Sequence, residues 1–485
     1  MQMCKLPLIA AWAVAILGLA GCGCSSPHGT TQPPGDADPD GTLPPPGDAG
    51  PAIGPLRVDP QNHRYFTAGN GKAVYLTGSH TWSNFKDRAH VDPPPAFDYP
   101  GFLDFLIAHH HNFIRLWTWE QTHSYDDDPN NLLYFTPFAW QRTGPGTATD
   151  GKPRFDLDKL DPAYFTRLHD RVAAARDRGI YVSVMLFDGW DLVNGYNATD
   201  GGYPFAQGNN VNSVAIAGAA AFSVGNAITA RQQAYVRAVI DAVDDLDNVL
   251  YEIANETDAS AVAWQYQMVD FVKSYEATKP MQHPVGMTST YPGSDAALFA
   301  SANHADWISP SGQLVAGDGR KVILNDTDHS YGWTQLKADG PAAQRAWAWE
   351  TFCIGAAPMF MDPYLEVWAG RNNPSGGRLD PTWNTIRDAL GFTHIYADRL
   401  NLERALPSPS LCSTGYCLAE PGHQYLVYQP SSGAFTLNVL AGAYQLEWFN
   451  PATGRVAQSG MTTLPAEQHT FTPPFSGDAV LLLLQ

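Results

Sequence analysis

Short apolar runs alternate with longer amphipathic stretches between residues 73 and 361, and the two patterns predict different elements. Runs of about four to eight apolar residues bounded by polar positions predict buried strands, whereas apolar residues three and four apart predict helices. The first predicted strand begins with residues 73–76. The others cover 112–119, 180–187, 249–254, 283–287, 306–309, 321–324 and 358–361. The predicted helices are 102–109, 164–178, 227–244, 262–276 and 342–354.

Eight strands separated by helices or long loops predict an α/β fold, a (β/α)8 TIM barrel over residues 56–404. An open doubly wound sheet is the competing architecture. It is disfavoured because no glycine-rich phosphate loop follows the first strand.

After residue 404 the pattern changes to short alternating strands, predicted at 424–428, 434–440, 444–449 and 479–484. Residues 405–485 therefore predict a small antiparallel β-sandwich. Cys412 and Cys417 are close enough in sequence to close a small loop, and a disulfide between them is one prediction of the pattern.

The N-terminal pattern indicates export. Lys5 precedes an apolar run over 6–19, which is shorter than the ~20 residues of a membrane span and is typical of a signal peptide. The sequence Leu-Ala-Gly-Cys ending at Cys22 resembles a bacterial lipobox, so we expect a signal peptide over 1–21 and a lipid anchor at Cys22. An ordinary signal peptide cleaved near Ala20 is the alternative.

Residues 22–55 predict a disordered tether, because nine prolines lie between 26 and 55 with little apolar surface to bury. Gly23, in place of Asp after the anchor, favours the outer membrane or cell surface. We expect an exported bacterial lipoprotein, monomeric, whose one membrane contact is the lipid.

Net charge and aromatic content limit the classes of partner and substrate that the protein can bind. The 29 Lys and Arg residues stand against 48 Asp and Glu, and the formal net charge of −19 excludes nucleic acid as a partner. The chain has 14 Trp, 21 Tyr and 22 Phe, whose flat rings can stack on the apolar faces of sugars, although core packing must account for most of them.

Polar and aromatic residues follow the predicted strands. Because the carboxyl ends of barrel strands form one face, these residues would converge there. They are His80, Trp82, Arg115, Trp117, Asp188, Trp190, Asn255, Glu256, Asp326, Asp328, His329 and Asp362. Residues 194–226 form a long loop after the third strand that could wall or cover the same face.

Other interpretations of this set stay open. Residues 255–258 could simply begin a helix, with acidic side chains favouring its dipole. A mononuclear metal site of His80, Asp328 and His329 is a further alternative, whereas three consecutive histidines at 109–111 point in different directions and do not predict one.

Four motifs resemble a known group: P-L-R-V at 55–58, Y-L-T-G-S-H-T-W at 75–82, N-D-T-D-H at 325–329 and F-M-D-P-Y at 360–364. With Arg115 and the Asn255-Glu256 pair, they look like cellulase-like and apiosidase-like barrels of clan A glycoside hydrolases. Those barrels carry a C-terminal β-sandwich of the collagen-binding type. The resemblance spans roughly residues 55 to 485.

The resemblance implies a retaining glycoside hydrolase that acts on a polysaccharide or oligosaccharide without a cofactor. Glu256 would be the general acid/base, and a carboxylate after the seventh strand, Asp328 or Asp326, the nucleophile. The clan uses Glu at that second position, so the Asp is a departure. Because Asp is one methylene shorter, the two carboxyls could stand farther apart than the ~5 to 5.5 Å of a retaining pair, and an inverting mechanism stays open. A non-catalytic carbohydrate-binding or adhesin-like lipoprotein is the alternative function, and a metal-dependent hydrolase is the third.

Overall fold

The computed structural model describes residues 41, 43, 51–125, 132–194, 202–330, 332–365 and 376–485. The predicted signal peptide, the Cys22 anchor and most of the tether lie outside these residues. Within the described ranges, no helix is both long and apolar enough to cross a bilayer.

Eight parallel strands form a nearly closed barrel, as predicted. In chain order they are β1 Gly78–His80, β2 Phe113–Leu116, β3 Tyr181–Asp188, β4 Val249–Asn255, β5 Val285–Thr288, β6 Trp307–Ser309, β7 Val322–Asp326 and β8 Ala357–Met361. Hydrogen bonds join β2 through β8 in sequence order, and β8 pairs with β1. Between β1 and β2 the amide of Asn112 donates to the carbonyl of Thr77 at 3.1 Å, which brings the two edges together.

The first predicted strand is wrong in part. Residues Ala73–Val74 do not run into the barrel but pair with Phe66–Thr67, which pairs in turn with Arg57–Val58, in a separate antiparallel sheet. The barrel strand begins only at Gly78. Tyr65, Phe66 and Tyr75 of this region share a buried cluster with Phe113 and Tyr181, the first residues of β2 and β3, so the small sheet covers the N-terminal end of the barrel.

Helices surround the barrel. Those of ten residues or more are α1 Tyr99–Ala108, α2 Pro162–Arg176, α3 Thr229–Val243, α4 Val262–Glu276, α5 Trp333–Cys353 and α6 Asn384–Arg399. Asp98 and Asp161 cap α1 and α2 by accepting from the amides of Gly101 and Ala163. The sequence pattern predicted α5 only from residue 342, because Gly340 and Pro341 interrupt it where the helix kinks. It did not predict α6.

Short strands extend the loops at the carboxyl ends of β1 and β2. Asp87–Ala89, Leu132–Thr136 and His123–Tyr125 form a three-stranded sheet, and Trp140–Thr147 pairs with Pro153–Leu160 in a hairpin. The loop predicted at 194–226 includes residues 195–201, which lie outside the described residues. Its described part buries Tyr203, Phe205 and Phe222 in the core.

The C-terminal region is antiparallel, as predicted. One sheet has the order Leu406–Pro407, Cys417–Glu420, Gln424–Gln429, Ala479–Leu484, Gly442–Asn450 and Arg455–Leu464, and Phe435–Val439 pairs with Glu467–Phe471 in a second sheet. Side chains from both sheets form one core that includes Val427, Leu437, Phe471 and Leu481. This packing of two sheets around one core is a β-sandwich.

The predicted disulfide between Cys412 and Cys417 is not formed. Both cysteines are buried free thiols, and the sulfur of Cys412 lies 3.1 Å from the hydroxyl oxygen of Thr414. A short sequence separation allows a disulfide but does not fix the geometry that the bond requires.

The sandwich packs on α5 and α6. Trp349 of α5 stacks on Tyr428 with ring centroids 6.2 Å apart, and Arg399 of α6 pairs with Glu447 at 2.6 Å. The apolar part of this contact belongs to the cluster that contains Phe113 and Tyr181 at the N-terminal end of the barrel. The opposite end, where β1 to β8 finish, holds the candidate site.

Candidate active site

Arg115 on β2 is the centre of a fully buried polar cluster. Its guanidinium donates to both carboxylate oxygens of Glu252, at 2.8 and 2.5 Å, and to Asp326 at 2.9 Å. It also donates to the amide oxygen of Asn255 at 2.8 Å. Burial acts against its charge, but Glu252 and Asp326 outweigh that effect and raise the pKa of Arg115. The site therefore contains a permanent buried cation.

Glu252 was not predicted as a site residue. It lies in the middle of β4, three positions before Asn255, and its side chain is fully buried. The available signal was one charged residue inside the otherwise apolar run V-L-Y-E-I-A. In a barrel strand, such a residue points inward only if another charge compensates it, and here Arg115 does so.

Asp326, the last residue of β7, has both oxygens occupied. One oxygen accepts from Nε2 of His80 at 2.7 Å and from Arg115, and the other accepts from the backbone amide of Asp328 at 3.0 Å. Burial raises the pKa of this carboxyl, but His80 and Arg115 have the larger combined effect and hold it below its usual value. Asp326 is therefore ionised and anchored.

His80 is held in one tautomer. The indole N–H of Trp117 can only donate, and it lies 2.8 Å from Nδ1 of His80. Nδ1 is thus the acceptor, and Nε2 carries the proton that is donated to Asp326. Trp117 itself is buried and stacks on His80, with centroids 5.8 Å apart.

Asp328 is less completely bonded. It lies in a four-residue helix, Thr327–Ser330, directly after β7. One carboxylate oxygen accepts from the indole of Trp82 at 3.3 Å. The other lies 3.7 Å from both Nη1 of Arg115 and Nε2 of His329, beyond hydrogen-bond distance, and makes no hydrogen bond to any described group. Burial and the charge of Asp326 raise the pKa of Asp328, and Arg115 opposes them.

Glu256 follows β4 in a strained conformation. Its φ of 43° is left-handed, a region that few residues other than glycine adopt and that is common at functional sites. The flanking residues hold it there: Asn255 accepts from Arg115 and from His329 at 2.9 Å, and Thr257 accepts from Gln265 at 2.8 Å. Burial, followed by the charge of Asp328, raises the pKa of Glu256 well above its usual value.

His329 is a neutral donor in this cluster. Its Nε2 donates to Asn255, and its Nδ1 accepts from the hydroxyl of Ser309 at 2.9 Å. Burial lowers the pKa of His329 to about 3, with Arg115 acting in the same direction. The contact orients the Asn255 amide beside Glu256 without adding a charge.

Two predicted carboxylates have different surroundings. Asp188 ends β3, beside Asn255 in the strand register, and accepts from the amide of Trp190 at 3.0 Å. Burial and its acidic neighbours Asp191 and Glu256 raise the pKa of Asp188. Asp362 follows β8 but forms a fully buried pair with Arg387 of α6, at 2.7 and 2.6 Å, and this pair engages both of its oxygens.

The predicted aromatic residues differ in exposure: Trp82 and Trp190 are partly exposed, whereas Trp117 is buried. Trp82 is partly exposed and packs on the buried Trp117, with centroids 6.2 Å apart. Trp190 is also partly exposed and contacts Tyr291, which was not predicted. Trp82 and Trp190 therefore present ring surface at the site, whereas Trp117 supports it from behind.

The metal-binding alternative gains no support. Both ring nitrogens of His80 and of His329 have protein partners. Among the residues that the structure describes, no group of three or more His, Cys, Asp and Glu side chains could hold a metal ion.

No model of a known family and no curated protein matches the sequence. A family 5 glycoside hydrolase from Bacteroides vulgatus ATCC 8482 superposes with a TM-score of 0.57 at 12% identity, over 89% of this chain and 93% of that one. The chain therefore shares the overall fold of this solved structure, a parallel eight-stranded barrel followed by antiparallel sheets.

A second solved structure, named only as a glycoside hydrolase, gives a TM-score of 0.58 at 12% identity and covers 89% of this chain and 97% of its own. These matches extend over the barrel and the sandwich together. They confirm the fold that the strand-end motifs implied. At this identity they do not transfer the role of any residue.

Proposed function

We propose that the protein is a glycoside hydrolase that cleaves O-glycosidic bonds of a polysaccharide or oligosaccharide, with Glu256 as general acid/base and Asp328 as nucleophile. One observation supports this most: two carboxyls, Glu256 directly after β4 and Asp328 in the short helix after β7, lie near a buried arginine that already pairs with Glu252 and Asp326. Glycoside hydrolysis needs such a pair, one protonated and one ionised.

The proton belongs on Glu256. Burial and Asp326 raise the pKa of Asp328 too, but Arg115 lies 3.7 Å from it and the Trp82 indole donates to the same carboxylate, and both of these contacts stabilise its ionised form. The negative charge of Asp328 in turn raises the pKa of Glu256. Each group thereby favours the protonation state that the other needs for catalysis.

The reaction would follow two steps. The Asp328 carboxylate attacks the anomeric carbon while the glycosidic C–O bond breaks, and Glu256 transfers its proton to the departing oxygen. Glu256, now ionised, takes a proton from water as that water attacks the same carbon, and Asp328 leaves. Two displacements at one carbon retain its configuration. Asp326 is less suited to the first step because its oxygens already accept three hydrogen bonds.

A glycan panel tests the activity. The purified protein is incubated with plant, fungal and bacterial polysaccharides and oligosaccharides, and the release of reducing sugar is measured for the wild type and for Glu256→Gln and Asp328→Asn. The proposal expects release by the wild type and none above background by Asp328→Asn. Binding of glycans on an array without sugar release by the wild type would favour the non-catalytic, adhesin-like alternative.

We also propose that Cys22 carries a lipid that attaches the protein to the outer membrane or cell surface. The lipobox-like sequence before it supports this. In a bacterial host, a fatty-acid probe should label the wild type but not Cys22→Ala, and the variant should leave the membrane fraction. Unlabelled wild-type protein with unchanged fractionation of the variant would overturn the proposal.

A further inference from the structure

Two partly exposed aromatic rings meet beside the candidate acid/base. Trp190 follows β3, and Tyr291 follows β5. Their ring centroids are 5.1 Å apart, and the ring planes cross at 73°. Tyr291 is 48% exposed. The two rings therefore form a corner, with faces nearly at right angles, rather than a closed stack.

The corner is fixed relative to Glu256 through the next residue, Thr257. The amide of Tyr291 donates to the carbonyl of Thr257 at 2.8 Å. On the other side, a Cβ on Gly189 would lie 2.5 Å from the Cα of Thr257, so only glycine allows the chain before Trp190 to approach so closely. The buried Thr257 thus fixes the backbone of Tyr291 and of Gly189, the residue before Trp190, next to the acid/base.

The direction of the reaction determines what binds in the corner. Glu256 must reach the departing oxygen, so the sugar attached to that oxygen leaves from the Glu256 side. Pyranose rings present apolar C–H faces that pack on aromatic rings. The formal net charge of −19 disfavours an anionic sugar such as a uronate.

We propose that Trp190 and Tyr291 form a subsite for an uncharged sugar ring on the leaving-group side of the scissile bond. This inference rests on the proposed function. The subsite favours substrates in which the leaving group is another sugar. It does not increase kcat/KM for substrates whose leaving group is a single atom.

The test compares two substrates that share the sugar donated to Asp328. One is the oligosaccharide that the wild type cleaves in the glycan panel, and the other is the glycosyl fluoride of the same sugar, whose leaving group cannot occupy the corner. We expect Trp190→Ala and Tyr291→Ala each to lower the ratio of kcat/KM values, oligosaccharide over fluoride, by about 3- to 10-fold. Trp190→Phe and Tyr291→Phe, which keep a ring, should restore most of the ratio.

The outcomes separate this inference from the proposed function. An unchanged ratio in both alanine variants of an active enzyme would overturn the subsite while leaving the catalytic proposal intact. A loss that affects both substrates equally would also overturn it, since the rings would then support the fold or the donor sugar. A wild type that releases no sugar from any glycan of the panel would instead overturn the proposed function.

Discussion

Among the described residues, two fully buried arginines, Arg115 and Arg387, pair with carboxylates, and the two clusters are bonded differently. Arg387 of α6 and Asp362 after β8 form a closed pair in which both carboxylate oxygens are engaged at 2.6 and 2.7 Å. Arg115 is instead shared among Glu252, Asp326 and Asn255, and a further carboxylate, Asp328, stands 3.7 Å away. A closed pair stabilises the fold, whereas a shared cation leaves one carboxylate available for chemistry.

The largest expected difference between the clusters concerns activity. Asp328→Asn removes the proposed nucleophile, so we expect kcat/KM to fall by at least ~1,000-fold, while stability changes little because a crowded negative charge is lost. The matched variant Asp362→Asn should keep kcat/KM near that of the wild type in the folded protein. Initial rates on the glycan that the wild type cleaves measure both values. A fully active Asp328→Asn would show that the two clusters do not differ in their role in catalysis.

Stability should show the reverse pattern. Asp362→Asn leaves the buried Arg387 without its counter-ion, and breaking a buried pair by removing one partner costs about 3–5 kcal/mol. Urea unfolding of Asp362→Asn and Asp328→Asn measures this difference in the free energy of unfolding. Equal stabilities of the two variants would mean that the two carboxylates do not differ as described.

The sequence pattern predicted the barrel, but it did not show which of the strand-end aspartates are tied up in ion pairs. Asp326, Asp328 and Asp362 each follow an apolar strand, and the pattern of the chain is the same for all three. What separates them is a partner far away in sequence: His80 and Arg115 for Asp326, and Arg387 for Asp362. Strand periodicity fixes which end of the barrel a residue occupies, and it carries no information on distant partners.

The same limit explains the residues that were missed. Tyr291 lies in a loop after β5 where no periodic pattern marks it, and only the fold brings it to Trp190. Helix α6, which supplies Arg387, was also missed, although buried residues such as Ile386 and Leu390 recur along one face of it. By contrast, Glu256 was predicted correctly as a strand-end residue because its position depends on local sequence alone.

The two clusters should also differ in their effect on the pH dependence of kcat/KM, because Glu256 beside the Arg115 cluster carries the catalytic proton. Its pKa is raised, so the acid form persists above the usual range and is lost as the pH rises through that value. The alkaline limb of the kcat/KM profile on the natural glycan should therefore report Glu256. Glu256→Gln, whose remaining activity is confined to substrates with good leaving groups, should show no such limb on an activated aryl glycoside. An alkaline limb that persists in Glu256→Gln would assign it to another group.

His329 should make stability fall in acid. Its folded pKa of about 3 lies below the ordinary value of 6.5, so the unfolded chain binds more protons between these pH values. The free energy of unfolding should thus decrease as the pH falls from about 6.5 towards 3. In His329→Asn that contribution disappears, and the difference in stability between wild type and variant should shrink over the same window. A constant difference would contradict the assignment.

The smallest expected effect concerns Asp188. Asp188→Asn removes an acidic neighbour of Glu256, so the pKa of Glu256 should decrease slightly and the alkaline limb should move to lower pH by less than about one unit. Asp362→Asn, at the closed cluster, should leave the limb in place. A limb that moves to higher pH in Asp188→Asn would show that Asp188 acts on Glu256 in another way.

The assignment of Glu256 and Asp328 is tested most directly by the configuration of products that azide forms in alanine variants. With an activated aryl glycoside of the sugar that the wild type releases, Asp328→Ala should yield a glycosyl azide of inverted configuration, because azide replaces the nucleophile. Glu256→Ala should yield the retained azide, because azide replaces the water of the second step. Proton NMR of the anomeric centre distinguishes them. An inverted azide from Asp326→Ala, with none from Asp328→Ala, would contradict the account.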